Sequence, residues 1–194
     1  MPAEERDRID IIDETRLSEE TVEMDISVRA ATPDDALCLS VLGTQVFLDN
    51  YATGGIRPAV AREVVEYFSV DVISGLLSSP STAILVAERA GHLIGFAELT
   101  FDSLHELVLE EPAVELRRLY VQEPFTSKGV GRALLQRSEE LAASRGACVL
   151  WLKAWVGNPR ALAFYARQGY NEIGADSYIY ENDAYETRVF VKEV

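Results

Sequence analysis

Apolar and polar positions alternate through Ile26-Ser27-Val28-Arg29, which predicts a first strand. Thr32-Pro33-Asp34-Asp35 then opens a helix with a capping residue followed by proline. A second helix is predicted from Arg57-Pro58 to about Leu77. Thr82 to Glu88 and Leu93 to Phe101 form a predicted hairpin that turns at Ala90-Gly91. An apolar strand, Leu116 to Val121, next runs into a helix that begins at paired glycines, Lys128-Gly129-Val130-Gly131-Arg132-Ala133-Leu134-Leu135. One strand, Cys148 to Trp155, separates it from a helix with both ends legible. Asn158 suits the N-cap, Pro159 the first helical position, and Gly169 the left-handed residue after the last turn. Ala161, Leu162, Phe164 and Tyr165 share its inward arc. An antiparallel pair from about Tyr170 to Val194 closes the chain. The expected architecture is α/β, on a mixed central sheet of about six to seven splayed strands with helices on both faces.

Composition sets the boundaries. The 194 residues fit one domain, without internal repeats or a dividing linker. Half of the formal charge of −14 lies in residues 1–25, where ten acids face Arg6, Arg8 and Arg16. Residues 1–25 are therefore expected to be an acidic extension, and residues 26–194 the folded domain. Within that domain Glu98, Asp102, Glu106, Glu110, Glu111 and Glu115 fall in a stretch without Lys or Arg. Such a run is either a solvated surface or a rim that attracts cations. An acidic domain argues against nucleic acid as a partner. No apolar run reaches the length of a membrane span, and Met1 to Asp10 lacks the apolar core of a signal peptide, so a cytoplasmic protein is expected. Cys38 and Cys148 are read as buried free thiols. His92 and His105 lack metal-site spacing, so no metal is expected.

Two segments carry chemistry. After the strand, Gly129 and Gly131 leave main-chain N–H groups uncovered at a helix start, where unpaired donors and the helix dipole favour an anion. Lys128 and Arg132 add matching charge. The absence of Gly-Lys-Ser/Thr excludes a triphosphate loop, and the missing third glycine weakens a dinucleotide site. In the second segment Phe164 reads as core. Tyr165 is either core or a phenol whose buried hydroxyl needs a partner, a cofactor sulfur being one candidate.

Together, these segments resemble the GCN5-related N-acetyltransferase (GNAT) superfamily, over roughly Asp25 to Val194. Lys128-Gly129-Val130-Gly131 matches the second half of its pyrophosphate loop, while Thr126 stands where Gln or Arg is usual and Ser127 where a glycine is common. Asn158-Pro159-Arg160-Ala161-Leu162-Ala163-Phe164-Tyr165 with Gly169-Tyr170 matches its second motif without a gap. The resemblance implies a mostly antiparallel GNAT sheet and acetyl-CoA as co-substrate. The implied contacts are Leu119, Tyr120 and Val121 on the strand, Ser127, Lys128, Gly129, Val130, Gly131, Arg132 and Ala133 at the loop, and Asn158 and Tyr165 at the pantetheine and sulfur. A narrower resemblance to PaiA-type spermidine/spermine acetyltransferases is carried by Val114 to Val121, Gln45 to Tyr51, Gly174 to Tyr178 and Glu186 to Lys192. It implies a small cationic amine such as a polyamine as acceptor. A protein N-terminus or lysine and a non-catalytic acyl-CoA module are the alternatives, and a homodimer stays open.

The implied chemistry needs a neutral amine. An amine of pKa ~10.4 is neutral in about 1 part in 2,500 at pH 7. Glu98 and Glu115 are the candidate bases, expected side by side on neighbouring strands. Tyr165 is the candidate acid for the departing thiolate, and a main-chain N–H near Leu119 the candidate oxyanion donor.

Overall fold

The computed structural model describes residues 25–180 and 183–194. The acidic extension expected over residues 1–25 lies outside the described residues except for Asp25. Seven strands form one sheet: β1 (Ser27–Ala30), β2 (Thr82–Arg89), β3 (His92–Phe101), β4 (Ala113–Val121), β5 (Val149–Trp155), β6 (Asn171–Tyr180) and β7 (Asp183–Glu193). Their order across the sheet is β1-β2-β3-β4-β5-β7-β6. Every neighbouring pair is antiparallel except β4 with β5.

Five helices cover the sheet: α1 (Ala36–Tyr51), α2 (Pro58–Phe68), α3 (Val70–Ser78), α4 (Val130–Ser144) and α5 (Pro159–Arg167). The two-residue period of the strands sorts their side chains to opposite faces. Ile84, Val86 and Phe96 pack with Leu39 and Leu42 of α1 and Ile73 of α3. Leu85, Ala87, Ala97 and Leu99 pack with Leu134 and Leu135 of α4. The β2–β3 turn puts both Ala90 and Gly91 at positive φ, 49° and 78°, the backbone a tight two-residue hairpin requires.

Three expectations change. The single helix predicted from Arg57-Pro58 to Leu77 is two, because Ser69 adopts an extended conformation (φ −60°, ψ 150°) between α2 and α3. Tertiary packing explains the break. The Ser40 hydroxyl holds the Phe68 carbonyl, and the Phe68 ring lies where a side chain at residue 43 would otherwise stand. The two cysteines are free but exposed rather than buried. Cys38 lies on the outer side of α1, next to buried Leu39, and Cys148 precedes β5 with its thiol on the Glu111 carbonyl. Glu98 and Glu115 are not side by side: Glu98 is opposite Arg118 and Glu115 opposite Thr100.

Candidate active site

The parallel contact of β4 with β5 is short. Only Ala113, Val114 and Glu115 pair with Val149, Leu150 and Trp151, and beyond them the strands part. On its other side β4 remains bonded to β3 as far as Gln122, whose N–H donates to the Ile94 carbonyl at 3.0 Å. Alternation along the strand then aims the main-chain groups of Leu119 and Val121 away from β3, into the gap. Tyr120 does otherwise. Its main chain faces β3, and its ring lies against Phe96 (5.4 Å between centroids) and Phe68 (6.1 Å). Arg117 is the extra residue of a bulge, because pairing steps from Glu98–Arg118 to Leu99–Leu116.

The glycine-started helix follows at the end of this gap. Gly129 caps α4 at φ 89°, and Ser127 also has a positive φ of 60°. A non-glycine residue rarely adopts that conformation, which accounts for glycine being common at the position Ser127 occupies. The first intrahelical bond is Ala133 N–H to Gly129 O at 2.9 Å, so the N–H groups of Val130, Gly131 and Arg132 precede the ladder. Nothing in the protein requires the small residue at 131. A Cβ there would meet the Phe164 ring at 3.7 Å, ordinary contact, and one at 129 would meet nothing within 4 Å. The space over this turn suits a group that approaches the backbone itself. Thr126 braces the loop by donating to the Glu123 carbonyl at 2.9 Å. Arg160 on α5 reaches both Glu123 carboxylate oxygens at 3.1 Å, which ties the loop to the second motif. That hydrogen-bonded pair holds the Glu123 carboxyl below and the Arg160 guanidinium above their ordinary values.

Asn158 caps α5, its Oδ1 accepting the Ala161 N–H at 3.0 Å, which leaves the amide NH2 as its donor. Tyr165 is 8% exposed and belongs to the main core, with Phe164, Tyr170 and Phe190 rings 5.2, 5.8 and 6.1 Å away. No hydrogen bond to its hydroxyl is found among the described residues. Burial first, and Tyr51 second, pushes the phenol well above its ordinary value.

On the α1 and α2 side of the sheet lies a cavity of about 660 Å³, within the usual range for small-molecule sites. Rings supply much of its wall: Phe47, Tyr51, Tyr67, Phe68, Tyr120, Trp151, Trp155, Tyr178 and Tyr185. Its charged lining is Glu63 and Glu115 against Arg57, Arg117, Arg118 and Lys153. Of the six acids in the basic-free stretch, only Glu115 lines it, accepting the Ser103 hydroxyl at 3.0 Å. Glu98 lies behind the lining, 1% exposed, paired with Arg118 and with Arg117 Nε at 3.7 Å. Arg118 in turn stacks over Tyr67 (5.6 Å) and Phe68 (5.2 Å). His105 Nδ1 accepts the Leu107 N–H, so Nε2 carries the ring proton that faces Asp176 at 3.2 Å. Asp176 is held down at about 2, chiefly by that bond. A second cavity of about 180 Å³ runs from Asn50, Tyr51 and Trp155 to Asn158 and Arg160. The two cavities share Asn50, Tyr51 and Trp155.

Glu63, Arg57, Trp155 and Tyr185 were not singled out in the sequence. No local motif marks them, and only the pairing of β5, β6 and β7 and the fold of α1 onto α2 bring them together. Among the described residues no group of His, Cys, Asp or Glu is arranged to hold a metal ion, and no helix is long and apolar enough to cross a membrane.

Comparison with known proteins agrees with this geometry. The model of the acetyltransferase (GNAT) family matches residues 57–170. An uncharacterised N-acetyltransferase from the pepI 3′ region of Lactobacillus delbrueckii subsp. lactis is 22% identical over 142 residues, 73% of this chain and 82% of the relative. The IAA acetyltransferase of Azospirillum brasilense is 28% identical over 127 residues, 66% of this chain and 74% of the relative. Among solved structures, the PaiA N-acetyltransferase of Thermoplasma acidophilum in complex with coenzyme A superposes with a TM-score of 0.71 at 21% identity. It covers 88% of this chain and 100% of its own.

Proposed function

The chain belongs to the acetyltransferase (GNAT) family and is an acetyl-CoA-dependent N-acetyltransferase, and within that activity we propose that it acetylates a small primary amine seated in the 660 Å³ cavity, with Tyr165 as proton donor. The observation that carries this reading is the shared wall of the two cavities. Asn50, Tyr51 and Trp155 line both, so an amine in the larger one adjoins the Asn158 end of the smaller.

Acetyl-CoA, when bound, supplies an acetyl group activated as a thioester. The N–H groups of Val130, Gly131 and Arg132, with the Lys128 and Arg132 charges, are suited to its pyrophosphate. The main-chain groups of Leu119 and Val121 are suited to the amides of its arm, and the Asn158 NH2 can donate to a carbonyl there. Tyr165 keeps its proton at the phenol oxygen across the neutral range, since burial raises it. Donation to a sulfur anion in the same dry setting meets no large mismatch, because burial also disfavours that anion.

The acceptor class follows from the lining. A polyamine, as the narrower resemblance implies, calls for carboxylates along the cavity, yet two face four cations there. A single ammonium carried on a flat apolar body suits nine aromatic side chains and two acids better. The test is acetylation of 2-phenylethylamine, spermidine and an N-terminal peptide by the purified protein, with mass detection of products. Preference for the arylalkylamine is expected, with kcat/KM little affected by salt. Preference for spermidine, with a steep loss as salt shortens the Debye length, overturns the acceptor assignment.

A further inference from the structure

Four carboxylates lie in or beside the acceptor cavity, and they differ in what surrounds them. Asp176 is held by His105 and Lys153, each at 3.2 Å. Glu98 is locked by two arginines behind the lining. Glu115 stands on the closed part of β4, opposite Trp151. Four residues at about 3.3 Å each place it roughly 13 Å from Leu119 and the open gap. Glu63, on α2, is 9% exposed and yet lines the cavity. Its Oε1 accepts the Tyr178 hydroxyl at 2.9 Å.

Glu63 lines the same cavity as Tyr51, and Tyr51 also lines the smaller one. Burial first, and the Glu63 charge second, raises the Tyr51 phenol. The Tyr51 ring lies 5.8 Å from Trp155, and Trp155 6.2 Å from Tyr185. A carboxylate beside aromatic faces is a favourable seat for an organic ammonium, attracted by the ring quadrupoles and by the charge together.

We propose that Glu63 is the carboxylate that receives the acceptor's ammonium and takes its proton, an assignment that rests on the N-acetyltransferase activity and acceptor cavity described above. The nitrogen forms its C–N bond as the C–S bond breaks, and loses two protons in all. One passes to Glu63 and then to solvent. The other replaces the proton that Tyr165 gives to the sulfur.

Besides burial, the groups that set the titration of Glu63 are Tyr178 on β6, Glu66 on α2 and Arg57 ahead of α2; Tyr51 on α1 and Tyr120 on β4 also face its charge. Burial dominates and raises the carboxyl, and Glu66 adds to it, while the Tyr178 hydrogen bond and Arg57 oppose. A base must be ionised to act, so activity is lost as pH falls through this raised value. The acidic limb of kcat/KM therefore lies above the ordinary carboxylate range near ~4.3.

The experiment measures kcat/KM for 2-phenylethylamine from about pH 5 to pH 9, with acetyl-CoA affinity by calorimetry as the check on folding. Glu63→Gln is expected to lower kcat/KM by about 100-fold or more and to abolish the acidic limb, with acetyl-CoA affinity unchanged. Glu63→Asp keeps the limb at reduced rate. Tyr178→Phe removes a bond that lowers the carboxyl, so its limb moves to higher pH. It decides the matter if Glu63→Gln loses acetyl-CoA affinity through misfolding. An acidic limb kept intact in a folded Glu63→Gln, or unmoved in Tyr178→Phe, overturns the role of Glu63 alone. Absence of any amine turnover by the unaltered protein overturns the proposed acceptor chemistry with it.

Discussion

Gly131→Ala should separate what the fold needs from what the co-substrate needs. The added Cβ would lie 3.7 Å from the Phe164 ring and 3.9 Å from a Val121 methyl, so the protein accommodates it without movement. Alanine in the first turn of α4 should stabilise the helix by at most about 1 kcal/mol over glycine. For a chain of this length that is a Tm gain of roughly 2–4 °C. On the proposed site, the same methyl would stand between a bound pyrophosphate and the N–H groups that precede the helical ladder. Loss of one charge-assisted hydrogen bond costs about 1.5–3 kcal/mol, or roughly 10- to 100-fold in affinity. The expected result is therefore a more stable protein that binds acetyl-CoA more weakly, read by differential scanning calorimetry without ligand and by titration calorimetry with it. Gly129→Ala differs, because φ there is 89° and a side chain costs about 1–2 kcal/mol of backbone strain. Its Tm should fall. If Gly131→Ala gains stability and still binds acetyl-CoA like the unaltered protein, the turn is only a turn, and the backbone anion site is refuted.

Tyr165→Phe should lower kcat by about 10²–10⁴ with the ring packing kept. Because burial keeps the phenol protonated throughout pH 6–9, the deficit should be the same at each pH in that range; full retention of activity would leave Tyr165 as core alone. Arg118→Met should destabilise by about 3–5 kcal/mol, since it strands the Glu98 charge at 1% exposure, and Glu98→Gln with Arg118→Met should recover most of that loss in a denaturant titration. Equal stabilities of the single and double variants would show that Arg117 alone compensates Glu98. Lengthening the side chain at residue 43, as in Gly43→Leu, should drive Phe68 out of its seat and cost several °C of Tm, because even a Cβ meets that ring at 2.5 Å.

The local signals were the legible ones. Asn158-Pro159 and Gly169 bound α5 because capping is decided within a few residues. Ala90-Gly91 marked the hairpin, and the paired glycines marked the start of α4. Signals that depend on distant partners were lost. The stretch from Pro58 to Leu77 carries no Gly or Pro at Ser69 to stop a helix, because the break depends on how Phe68 meets α1. The register that sets Glu98 opposite Arg118, and so away from Glu115, depends on how β3 pairs with β4, which one strand's sequence does not announce. Cys38 sits beside buried Leu39 on α1, and neighbouring positions on a helix point in different directions.

The same division runs through the site itself. Its proposed co-substrate half is built largely from main chain, at Leu119, Val121 and the first turn of α4, so it would need only a glycine, a cap and a strand end. Its acceptor half is built from side chains on α1, α2, β4, β5, β6 and β7, each of which can change without disturbing the backbone cradle. Exchanges at Tyr178 or Tyr185 should therefore move acceptor preference and KM for the amine while leaving acetyl-CoA affinity alone. Tyr51 and Trp155 are different because they line both cavities. Their truncation should couple the two halves, so that Trp155→Ala raises KM for amine and for acetyl-CoA together. Two-substrate kinetics tests this directly, and a Trp155→Ala effect confined to one substrate would mean that the cavities do not meet at that ring.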